Sequence, residues 1–121
     1  MVCMVSLEQL AEKALAGEAL VLRGLVQDWL RENPRIPDCP RPSSDDAQVL
    51  AVSAALVELF ADRSGQPAPL WSGDIGPLAE PHYLVRAARR MKRLRRMCEI
   101  ESPPPLRRRN LFVPAGFLQS A

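Results

Sequence analysis

The sequence predicts a mainly α fold: a single small helical domain, residues 1–121, of three to five helices joined by two proline-rich connectors. Three observations carry this expectation. Apolar residues recur at three- and four-residue spacing through several stretches, the signature of a helix face. The segments 34–42 and 67–81 each hold four prolines, where no helix interior can run. A chain of 121 residues, 47% of them hydrophobic, is one domain's worth and sustains one core.

The elements follow in chain order. Ser6 opens S-L-E-Q, a capping box in which Gln9 reaches back to the cap. Leu7, Leu10, Ala11, Ala14 and Leu15 then share one side. Gly17 marks a bend or break, and the pattern resumes from Leu20 to Leu30, as one kinked helix or as two. Asn33-Pro34 ends it. The connector after it is extended, with polyproline II character expected, and its PxxP spacings are read as a connector laid over the surface. Ser43, Ser44 or Asp45 starts the next helix, which runs to Gly65; its apolar residues cover so much of its surface that it is expected to be central and buried on more than one side. In the second connector Trp71 is expected to plug the loop onto the core. A basic helix is expected over 82–101, with Leu84, Ala87 or Ala88, Met91, Leu94 and Cys98 on its packed face. Ser102-Pro103-Pro104-Pro105 stops it, and a docking tail is expected over 106–121, with Leu111–Val113 as a short strand or an apolar plug and Phe117 and Leu118 as anchors.

Charge is divided along the chain. Residues 1–80 hold 6 basic and 12 acidic residues, and residues 81–121 hold 10 basic and 2 acidic, so a net +2 hides −6 and +8. Such a split speaks about partners and self-association rather than fold. Arg86, Arg89, Arg90, Lys92, Arg93, Arg95 and Arg96 are expected to cover the other sides of the basic helix, with Arg107, Arg108 and Arg109 as a second cluster held beyond SPPP. Together they are the expected contact surface. Arginine suits it, because its fork grips carboxylates bidentately while its stem packs.

Several functions are excluded or disfavoured. Cys3, Cys39 and Cys98 with the single His82 give no paired ligands for a zinc site and no CxxC, which points to reduced thiols in the cytoplasm. Neither a phosphate loop nor a dinucleotide fingerprint nor HExxH occurs, so no cofactor and no metal are expected. The opening MVCMVSLEQL has no basic n-region, and no run is long enough for a membrane span. His82 beside Tyr83 has no nucleophile or carboxylate tied to it, and the chain is read as non-enzymatic. Two readings remain. One is a regulatory subunit that binds an acidic protein, with homo-oligomers open to it. The alternative is a DNA- or RNA-binding protein using the basic helix. Aromatic residues are not interleaved with the arginines as on a stacking platform, which favours the first.

The strings PAPLW, PLAEPHYLV and RMKRLRRMCEIESPPPLRRRNLFVPAGFL resemble small bacterial, actinobacterial antitoxin-like proteins associated with nucleotidyltransferase-like toxins. The resemblance covers about residues 65–120. It implies an antitoxin in a toxin–antitoxin pair. Arg107, Arg108, Arg109 and Asn110 would then be interface residues that meet an acidic or magnesium-loaded active site.

Overall fold

A computed structural model of the chain describes residues 5–85, 88 and 90–114. The first helix, α1 (Leu7–Ala16), begins with the expected capping box: Gln9 N–H donates to Ser6 Oγ at 3.1 Å, and Ser6 N–H donates to Gln9 Oε1 at 2.9 Å. It ends at Gly17, whose φ of 76° lets Gly17 and Glu18 N–H turn back onto the Ala14 and Lys13 carbonyls. That glycine therefore separates two helices rather than kinking one. The second, α2 (Ala19–Glu32), buries Leu22, Val26 and Trp29 on one side. Leu20 and Val21 lie outside that stripe and are exposed.

The first connector makes a 3-10 turn over Ile36–Asp38, so it is not polyproline II throughout. It is tied at both ends. Gln66 accepts from Ile36 N–H at 3.0 Å and donates to Pro34 O at 3.0 Å, and Ser43 donates its N–H to Glu8 at 2.9 Å.

The central helix is α3 (Ala47–Ser64), buried at Ala51–Val57 and again at Leu59–Ala61. Its cap is Asp46, not the expected Ser43, Ser44 or Asp45: Asp46 Oδ1 accepts from Gln48 N–H at 2.8 Å and Val49 N–H at 3.3 Å. Ser43 is already engaged by Glu8, and Ser44 Oγ accepts from Asp46 N–H. α1 packs on α3 and α2 packs on α1, and α2 reaches α3 through Trp29, which meets Phe60 with ring centroids 5.6 Å apart. In the second connector a 3-10 turn at Leu70–Asp74 packs on α3. Trp71 is half-buried there as expected, and its indole N–H donates to Cys39 O at 2.8 Å, joining the two connectors.

The basic region departs from expectation. Instead of one helix over 82–101, a strand β1 (His82–Tyr83) comes first and α4 spans only Lys92–Glu101. A short helix α5 (Pro104–Arg107) and strand β2 (Leu111–Phe112) follow. β1 and β2 pair in parallel, His82 beside Leu111 and Tyr83 beside Phe112, with residues 84–110 as the crossover. The reason is visible in the backbone. His82 N–H donates to Asn110 O at 2.8 Å and Leu84 N–H to Phe112 O at 3.2 Å, so these groups face β2 and not a carbonyl four residues back. Leu84 and Ala88 are both buried, as a packed face requires. The tail docks through Leu106, Leu111 and Val113, all fully buried, and Val113 N–H donates to the buried Ser102 hydroxyl at 2.8 Å. The expected anchors Phe117 and Leu118 lie outside the described residues.

Candidate functional site

The arginines separate into those engaged within the fold and those that face outward. Arg109 belongs to the first group. It is 6% exposed, and its guanidinium meets both oxygens of Glu58 on α3, Nη1 to Oε1 at 2.6 Å and Nη2 to Oε2 at 2.9 Å. It also donates to Ile75 O at 3.2 Å, Pro105 O at 3.2 Å and Ser72 O at 2.8 Å. Five hydrogen bonds saturate the guanidinium. They join the central helix, the second connector and α5 at one point. Burial raises the Glu58 carboxyl, but the hydrogen bonds and charge of Arg109 and the charge of Arg108 outweigh it and hold the group below its ordinary value. Arg109 is thus a structural clasp, and the expectation that it meets a partner gives way.

Asn110 is likewise structural. Its φ is 61°, the left-handed region that asparagine tolerates better than most residues. Its Nδ2 donates to Leu78 O at 2.6 Å and its carbonyl receives His82 N–H, so the bend that launches β2 depends on it. Arg108 stands between the groups: it pairs with Glu58 Oε1 at 3.1 Å with 64% of its side chain exposed. Arg107 is exposed.

On α4 the sorting follows the helix face. Cys98 is fully buried and Leu94 is half-buried on the packed side. Arg95 turns toward the body. Its guanidinium lies 5.7 Å from the centre of the Tyr83 ring, and its Nε donates to Ala88 O at 3.2 Å. The Tyr83 hydroxyl donates to the Glu99 carboxylate. Burial and that carboxylate push the phenol up to about 12.

The outward side carries Lys92, Arg93 and Arg96, all exposed and in no ion pair among the described residues. Arg90 is exposed just before the helix. Met97 and Ile100 share this side, 47% and 63% exposed, and Met91 is exposed at its start. Arg93, Arg96, Met97 and Ile100 recur at three and four and so form one continuous face. The expected Arg86 and Arg89 lie outside the described residues. The apolar members of this face were missed from the sequence because Met97 and Ile100 sit inside a run of charges. Reading the wheel about the buried Cys98 would have placed both outside.

A cleft of about 360 Å³ between the start of α1, the end of α2 and the first connector has Trp29 and Cys39 in its lining and Glu8 and Glu32 at its edge. Both carboxylates already accept backbone N–H groups, from Ser43 and Val5. Burial pushes the Cys39 thiol up, and burial with Glu101 and Glu99 does so for Cys98, which favours inert thiols over nucleophilic thiolates. Among the described residues no group of three His, Cys, Asp or Glu side chains is arranged for a metal ion, and no helix is long and apolar enough to cross a membrane. No protein-family model, curated protein or solved structure matches the chain.

Proposed function

We propose that the chain is a non-enzymatic, cytoplasmic protein-binding subunit whose α4 face docks on an acidic protein partner. The observation that carries this reading is the composition of that face: Lys92, Arg93 and Arg96 in no ion pair among the described residues, beside exposed Met97 and Ile100. Large apolar side chains gain nothing from a phosphate backbone but contribute at the dry centre of a protein interface, with arginine around it. The two free cysteines on the described part of the chain are buried thiols, in keeping with a reducing compartment.

The test is capture from host extract on the immobilised chain, with and without nuclease, at low and high salt. An acidic protein should be retained through nuclease treatment and released by salt. It should be lost when Arg93→Glu and Arg96→Glu are combined in a variant with an unchanged circular dichroism spectrum. Retention that ignores the reversal refutes the α4 assignment. Recovery of DNA or RNA alone, with an affinity that falls steeply in a log–log salt titration, installs the nucleic-acid reading instead. The antitoxin form of the proposal, which the resemblance over residues 65–120 supports, adds one requirement. The captured protein, expressed alone, should arrest growth, and co-expression of this chain should relieve the arrest.

A further inference from the structure

A groove lined mainly by the acidic part of the chain, and closed by Pro81 and His82, has a chemistry that matches the outward side of α4. It has a volume of about 350 Å³ and opens between the start of α3 and the segment leading into β1. Leu78, Ala79 and Pro81 give it an apolar lining, and Gln48, Glu80 and His82 line it as well. Asp45 and Asp46 directly precede Ala47, another lining residue. Asp45 and Glu80 are exposed and engage no partner among the described residues, whereas Asp46 caps α3 through Oδ1.

We propose that this groove receives the Arg93–Ile100 face of α4 from a second copy of the same chain. Met97 and Ile100 pack on Leu78, Ala79 and Pro81, while Arg93 and Arg96 pair with Asp45 and Glu80. Charge complementarity within one sequence selects the occupant. The −6 of residues 1–80 and the +8 of residues 81–121 make each copy a donor of one surface and an acceptor of the other. The two surfaces are different, so the contact joins copies through unlike patches. Self-association then occupies the α4 face until an acidic partner displaces it. This inference rests on the binding role proposed for α4, yet its test uses the purified chain alone, so either reading can fail while the other stands.

The experiment is sedimentation velocity across a concentration series at low and high salt. The natural chain should associate reversibly, with the dissociation constant rising about tenfold or more between the two salts. Arg93→Glu with Arg96→Glu should be monomeric, and so should Asp45→Lys with Glu80→Lys, each with an unchanged far-ultraviolet spectrum. Mixing the two variants brings an intact groove to an intact α4 and should give a heterodimer. Placing all four substitutions in one chain reverses both surfaces and should restore self-association. A natural chain that stays monomeric at every concentration overturns the proposal. So does association that survives either reversal, and so do two monomeric variants that neither pair nor recover when combined.

Discussion

Replacing Arg109 with methionine keeps a long apolar stem but removes the guanidinium. Two bonds to Glu58 and three to the Ile75, Pro105 and Ser72 carbonyls go with it. What remains is a carboxylate on α3 whose side chain is 13% exposed, with Arg108 at 3.1 Å and a hydrogen bond from the Ser72 side chain still beside it. Stranding one member of a buried ion pair costs about 3–5 kcal/mol. The carbonyls add roughly 1 kcal/mol each where water cannot reach them, while the surviving Arg108 contact and the small exposure of Glu58 act the other way. The loss should therefore be about 3–4 kcal/mol, which for a chain of this size lowers Tm by roughly 12–20 °C. Urea unfolding followed by circular dichroism measures it, and an unchanged m-value shows that the same surface is exposed in both proteins. The diagnostic companion is Arg109→Met with Glu58→Met. Removing both charges should recover about 2 kcal/mol relative to the single Arg109 variant, because the expensive species is the unpaired carboxylate. A loss under about 1 kcal/mol for Arg109→Met, or a double variant that is simply the sum of the two singles, would refute the clasp.

Three further outcomes are expected. Because the Glu58 carboxyl is held below its ordinary value of 4.5, its contribution to stability is present above that pH and is lost as pH falls through the lower folded-state value; urea midpoints measured down an acid series should show that loss, and Glu58→Gln should flatten it. Tyr83 is the only tyrosine, so phenolate absorbance reports it alone, and its midpoint should lie near 12 in the folded chain and move down in Glu99→Gln. Gly65 ends α3 at φ 68° with open space where a Cβ would go, so Gly65→Ala should cost about 1 kcal/mol through backbone strain alone, measured by thermal or urea unfolding.

Local chemistry made much of the fold legible. The Ser6–Gln9 capping box, the breaks at Gly17 and Gly65 and the apolar surface of α3 are each set by neighbours within a few residues, and each stands where the sequence placed it. The cap of α3 slipped to Asp46 because a distant residue, Glu8, takes Ser43. The basic segment was less legible. Leu84 and Ala88 show helical spacing, but the N–H groups at 82 and 84 are claimed by residues 110 and 112, and no local pattern announces a two-residue parallel strand. Within the charged cluster, Arg107, Arg108 and Arg109 are adjacent and chemically identical, yet Arg107 is exposed, Arg108 is half engaged and Arg109 is buried against Glu58.

The sequence by itself determined a small helical domain with a long central helix, two proline connectors and a charge divided between its ends, because helix periodicity, capping, proline and net charge are properties of short stretches. Tertiary structure alone decided which cations are free to meet a partner. That choice depends on which carboxylate or carbonyl, tens of residues away, lies within about 3 Å of a given guanidinium. For Arg109 the answer is Glu58, and for Arg93 and Arg96 the described chain holds no such neighbour.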